Sequence, residues 1–246
     1  MISVDGLTAL RGETRVLSGV SLAVEAGETV AVMGANGAGK TTLLKHVAGL
    51  RDPAAGTVTV DGTVGFAPED PRDGLFAETV AEEVAFFPRN RGLDIDRHRT
   101  DAMAAMDTAA LRDRDPYSLS VGEQRRVSIA AVLAGDPAAL VLDEPTRGLD
   151  GAGEQQLAER LDSLDTTVLF STHAADFAYA IADRVALIQD GSLRATGTAA
   201  TVLTDLDLLE SVGIRPPDLV RWARETGIDP PPRTVDEAIR SLEATP

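Results

Sequence analysis

Residues 34 to 41 read GANGAGKT, placing Gly34, Gly39, Lys40 and Thr41 at the spacing GxxxxGK[ST], with a third glycine between. Before them stands TVAVM (29 to 33), short, apolar and β-branched as a buried strand should be. After them glycine density falls and TLLKHVAGL begins a helical pattern. Glycine lets a backbone curl so that successive N–H groups face one anion, and the following helix adds its positive end. A chain with this strand, loop and helix is constrained to a phosphate-binding α/β fold. Gly34, Ala35, Asn36, Gly37, Ala38, Gly39, Lys40, Thr41 and Thr42 are the candidate nucleotide-binding residues. Lys40 would reach the β- and γ-phosphates of ATP, and the Thr41 hydroxyl would face Mg²⁺.

The remaining text fits that frame. Residues 1 to 35 read as short strands (ISV, TRVL, VSLAVEAGETVAVMG) with Gly12, Gly19 and Gly27 as punctuation. Helical patterns dominate from about 75 to 137, including ETVAEEVAFF, RHRTDAMAAMDTAALRD and GEQRRVSIAAVLAG. AALVLDEP and TTVLFSTH each read as an apolar strand ending in polar residues, and DRVALIQDGSLRATG as a closing hairpin. Strands alternating with helices predict a mostly parallel sheet with crossovers. After about residue 200 the chain becomes a proline-punctuated helical extension, in which Thr234 and Glu237 stand in capping-box spacing.

LVLDEP supplies the partner of the glycine loop. Asp143, just past an apolar strand, is placed to help hold Mg²⁺, and Glu144 to orient or deprotonate an attacking water. Composition narrows the remaining choices. A formal net charge of −16, with only Lys40 and Lys45 as lysines, excludes a broadly basic nucleic-acid-binding surface. The excess of carboxylate is the pattern of proteins from salt-loving microbes, or of an acidic protein encoded by GC-rich DNA. With no cysteine there is no disulfide framework and no thiolate zinc site. No apolar run approaches 18 residues and the start, MISVDGLTALRGE, lacks a basic segment followed by an apolar one, so the chain is expected at the cytoplasmic face, held to any membrane by another protein.

Three further stretches carry a resemblance. LSVGEQRR (119 to 126) resembles the LSGGQ signature of ATP-binding-cassette ATPases, TRGLD (146 to 150) their D-loop, and STH (171 to 173) the segment with their switch histidine. Order and spacing resemble that family from residue 1 to about 200. The resemblance implies a P-loop NTPase core (1 to 200, RecA-like) with an N-terminal antiparallel β region and an inserted helical subdomain at about 75 to 137, followed by the helical extension 201 to 246. It implies two such domains enclosing two ATP molecules head to tail, with Ser120, Val121, Gly122 and Glu123 of one subunit meeting the γ-phosphate held by the other. His173 would touch the same phosphate from within.

VGFAPEDPRDGLFAETVAEEVAFFPRNRGL further resembles cobalt- and vitamin-importing cassette ATPases of energy-coupling-factor transporters, and GTAATVLTDLDLLESVGIRPPDL extends the likeness to about residue 220. That subfamily implies a homodimer or heterodimer of ATPase subunits, a transmembrane scaffold and a substrate-capturing membrane protein. A glutamine that contacts Mg²⁺ and the attacking water is replaced here by Glu69, a carboxylate that accepts hydrogen bonds but cannot donate as an amide does. Val121 replaces the first glycine of the signature. An aromatic ring normally stacks on adenine from the first strand region; TALRGE has none, and Arg11, with its planar guanidinium, falls nearest that place. Two other readings stay open: a cassette ATPase outside transport, and a regulatory module that binds ATP with little hydrolysis.

Overall fold

The computed structural model describes residues 1–243. Among the described residues nine strands form two sheets. β1 (Ile2–Arg11), β2 (Thr14–Val24) and β4 (Ala55–Val60) make an antiparallel sheet in the order β2-β1-β4. β3 (Thr29–Met33), β5 (Val64–Ala67), β6 (Ala139–Leu142), β7 (Thr167–Thr172), β8 (Arg184–Gln189) and β9 (Ser192–Thr198) make the second, in the order β5-β6-β7-β3-β8-β9. Its strands pair in parallel except for β9, which runs antiparallel to β8.

Side-chain alternation on the central strands divides the interior into two cores. Val30 and Val32 of β3, with Val141 and Leu169, face the antiparallel sheet and α1 (Lys40–Val47), where Leu7, Leu17, Leu43 and Leu44 close the layer. Ala31 and Met33, with Leu142 and Phe170, face the other helices. Among these are α2 (Val80–Arg91), α3 (Ile95–Ala105), α4 (Val121–Leu133), α5 (Gly151–Asp162) and α6 (Ala175–Ile181). The period-2 pattern on one short strand thus buries both of its faces, as a central parallel strand requires.

Two local expectations are corrected. Gly12 does turn the chain between β1 and β2, but Gly19 lies inside β2 at φ 63°, and the register between β1 and β2 shifts nearby. A bulge absorbs the glycine, so the strand continues through it. The helix drawn from RHRTDAMAAMDTAALRD ends at Ala105. Asp107 takes φ 51° and the Thr108 N–H bonds back to Met103 O, a left-handed stop closed without glycine.

Beyond β9 come α7 (Ala199–Val202), α8 (Leu206–Ser211), α9 (Asp218–Thr226) and α10 (Val235–Glu243). Val202, Leu209 and Val220 join the same core as Phe170. Thr234 caps α10 by accepting from Glu237 N, while the Glu237 carboxylate accepts from Arg233 N, one residue earlier than a capping box would place it. Arg233 also donates from Nε to Tyr179 O (2.8 Å) and from Nη2 to Ala182 O (2.6 Å), satisfying carbonyls at the end of α6 where a cation is favoured. Arg233→Ala is expected to lower unfolding free energy by roughly 1–3 kcal/mol, measured by urea denaturation.

Candidate active site

The glycine loop is tightly enclosed. A Cβ on Gly34 would lie 2.2 Å from Ile188 O, and one on Gly39 would lie 2.5 Å from the end of the Leu17 side chain; their φ values are 155° and 111°. Backbone leaves no space for a side chain at Gly34, while at Gly39 the conformation disfavours one. The turn of the β8–β9 hairpin helps hold the cage, since Gly191 N donates to Ala38 O and Gly191 O accepts from Ser18 N.

At the carboxyl end of β3, α1 begins with Lys40, which is 6% exposed and folds over the loop. Its Nζ donates to Gly34 O (2.9 Å) and lies 3.4 Å from Glu144 Oε1. Beside it the Thr41 hydroxyl donates to Asp143 Oδ1 at 3.0 Å. Asp143 and Glu144 stand where β6 runs out, 2% and 6% exposed. The second oxygen of Glu144 is 2.8 Å from Nδ1 of His173, which lies just past β7 with its ring largely exposed. Glu144 thus lies between a buried ammonium and an imidazole at the water's edge. It also sits at φ 45°, a left-handed conformation that costs a non-glycine residue on the order of 1–3 kcal/mol and marks functional sites.

Ser171 was not singled out from the sequence, although STH contains it. Fully buried, its hydroxyl donates to Asp143 Oδ1 (2.7 Å) and accepts from Glu144 N (2.9 Å), so one residue of β7 orients both acids of β6. Thr41 and Asp143, which line the cleft, present only oxygen ligands, the chemistry of a hard cation. A magnesium ion held largely by phosphate oxygens and water needs one or two protein ligands, which this set supplies.

Glu69 lines the same cleft of about 430 Å³ as Thr41 and Asp143. Its carboxylate is paired with Arg147 of the TRGLD segment, and Asp70 accepts from Arg72 N to cap the turn at Pro71–Asp73. The sequence did not reveal the Arg147 contact. Ser120 caps α4 beneath this cleft, and Val121 forms part of its wall. Val121 Cγ1 lies 3.1 Å from where a Cβ of Gly148 would stand, so the signature residues and TRGLD touch within one chain. Arg11 is exposed at the end of β1, opposite Thr14, and no hydrogen bond or ion pair among the described residues ties it to the loop. The same hairpin reaches the glycine loop instead through Leu17.

A model of the family described as ABC transporter matches residues 17–147. The chain belongs to the ABC transporter family. It is an ATP-binding-cassette ATPase. Over 245 residues it is 42% identical to the cobalt import ATP-binding protein CbiO of Rhodobacter capsulatus, covering 91% of this chain and 88% of that one. It is 37% identical to the energy-coupling factor transporter ATP-binding protein EcfA2 of Methanospirillum hungatei, covering 92% of this chain and 64% of that one. Among solved structures, cbiO1 of Clostridium perfringens, part of the ABC transporter complex cbiONQ, superposes with a TM-score of 0.75 at 28% identity, covering 91% of this cassette and 98% of that chain.

Glu123, at the glutamine place of LSGGQ, is engaged at the start of α4. The Ser120 N–H and hydroxyl both donate to Glu123 Oε2 (2.9 and 2.8 Å), and the Ser120 hydroxyl accepts from Glu123 N, a complete capping box. The Ser120 backbone N–H first, then its hydroxyl, hold the Glu123 carboxyl below its ordinary range. A carboxyl lowered in the folded state stabilises above its unfolded value of about 4.3, and that contribution is lost as pH falls through the lowered folded value. The thermal stability advantage of the parent over Glu123→Gln is therefore expected to shrink below about pH 4, whereas a constant advantage would mean that the box does not depend on the charge.

Proposed function

We propose that this chain is the ATP-hydrolysing subunit of an energy-coupling-factor-type importer of metal ions (cobalt or nickel) or vitamins, working as a peripheral protein at the cytoplasmic face of the membrane. The observation that carries the hydrolytic reading is Glu144, buried yet bonded to both Lys40 and His173 at the mouth of the glycine loop. Likeness to a cobalt import protein and to an energy-coupling-factor subunit supports the importer reading. Among the described residues no helix is long and apolar enough to cross a membrane, which fits a subunit held there by others.

Residues 34 to 39 bind phosphate oxygens through backbone N–H groups, and Lys40 turns from the loop carbonyls toward the β- and γ-phosphates of ATP. Glu144 accepts a proton from the attacking water, with His173 steadying its carboxylate and contacting the γ-phosphate. Thr41 and Asp143 would hold Mg²⁺, with Glu69 able to accept from its water ligands, and the ion would supply neutralisation of the charge developing on the transferred phosphoryl group. Arg11 is the proposed stacking partner of adenine.

Ser120, Val121, Gly122 and Glu123 complete the site across a dimer of two copies or of this chain with a related one. ATP closes the dimer and hydrolysis reopens it, and the motion passes to a transmembrane scaffold that serves the substrate-capturing protein. The acidic surface suits concentrated salt.

Glu144→Gln is expected to lower turnover by roughly 10²–10⁴-fold with ATP affinity retained, measured by phosphate release and nucleotide titration; an unchanged rate rejects the assignment. For transport, the tagged chain is purified from its own membranes at high salt. A multi-spanning scaffold and a small membrane protein are expected to accompany it, and recovery with soluble partners alone overturns the importer reading.

A further inference from the structure

Arg125 is the largest fully buried side chain among the described residues, at 1% exposure, and nothing in the hydrolytic scheme uses it. A guanidinium out of water is costly unless hydrogen bonds and counter-charge replace its hydration. Here Nη1 donates to Pro68 O at 2.6 Å and Nη2 to Glu69 O, so one fork grips two successive carbonyls of the PEDP loop. Burial pulls its pKa down to about 10, while the carboxylates of Asp70 and Asp143 oppose that fall, so the side chain remains charged at neutral pH. The neighbouring Gln124 ties the same region, its Oε1 accepting from Arg72 Nε (3.3 Å) and its Nε2 donating to Pro116 O (3.0 Å). Both residues lie in the turn of α4 that follows the Ser120 cap.

The grip falls on main chain, so it fixes where residue 69 is without touching its side chain. The carboxylate of Glu69 is steered separately, by Arg147 from the segment after Glu144. That ion pair has both partners at least a third exposed (38% and 63%), where such pairs contribute little and exchange readily. The Glu69 side chain can therefore leave Arg147 for the cleft it shares with Thr41 and Asp143, but only if the loop beneath it stays in place.

We propose that Arg125 is a positioning residue for ATP hydrolysis, holding the Pro68–Glu69 carbonyls so that the Glu69 carboxylate reaches the cleft of Thr41 and Asp143. The proposal rests on the hydrolytic reading of that cleft. Misplacement of a group by about 1 Å costs up to roughly 10²-fold in rate, so a loss of about tenfold or more in kcat is expected for Arg125→Met, with ATP affinity within about twofold of the parent. Arg125→Lys, which keeps a charge and three donors, is expected to return kcat to within about threefold.

A double-mutant cycle separates positioning from general support of the fold. In a Glu69→Ala background, itself impaired, Arg125→Met is expected to lower kcat by less than about twofold, because residues acting through one group are not additive. Equal losses in both backgrounds, or loss of ATP affinity in parallel with kcat for the Lys variant as well, overturn the proposal in favour of a purely structural arginine. Should Arg125→Met fail to bind nucleotide, the cycle is run with Arg125→Lys, whose smaller loss must likewise vanish in Glu69→Ala. Glu144→Gln is measured alongside. If it turns over normally the hydrolytic reading fails, whereas if it is inactive and the cycle is additive only the role of Arg125 fails.

Discussion

One lysine and two carboxylates, each less than a tenth exposed, share the carboxyl end of the central sheet. Charges so placed exist only as a mutually compensating set. Removing one leaves the others uncompensated, which costs far more than losing a contact at the surface. The order of the strands, with β3 between β7 and β8 and β6 on the far side of β7, brings this set together. Lys40 leaves β3, Asp143 and Glu144 leave β6, and Ser171 on the intervening β7 bonds to both acids. Ligand sites at the carboxyl ends of parallel strands are a general property of open α/β sheets, and here the strand order decides which residues meet.

What could be read along the chain was whatever depends on near neighbours. The glycine loop declares itself because backbone crowding at Gly34 and conformation at Gly34 and Gly39 call for glycine, and the central strands because their burial appears as short apolar runs, ALVL and VLF. Asp143 and Glu144 stand out by position at a strand end after a glycine loop, and His173 only through the resemblance of STH. Ser171, Arg125 and Arg147 do not stand out, although each sits inside a stretch that had been noticed. Their partners lie tens of residues away, and a serine or arginine carries no local pattern that reveals whether it faces water or a distant carbonyl. The same blindness explains Gly19, where the pairing of β1 with β2 turned a break into a bulge, and Glu237, whose carboxylate found Arg233 N one residue from the expected donor.

Three stretches that look independent in sequence, the PEDP loop, the start of α4 and TRGLD, form the walls of one cleft. They are joined by unequal links. Arg125 binds main chain from a buried position, while Arg147 binds a side chain near solvent. A rigid attachment on one side and an exchangeable one on the other give the loop a fixed base and a movable tip.

The backbone at Glu144 has a further consequence. At φ 45° the residue occupies a conformation that glycine or asparagine adopts with less strain, and its burial between Lys40 and His173 adds desolvation to that cost. The backbone alone would be more comfortable with a different amino acid here, but such an exchange would leave the buried Lys40 ammonium without its counter-charge. The strain is therefore locked in by the charge beside it, and the fold cannot relax this position without unsettling its neighbour.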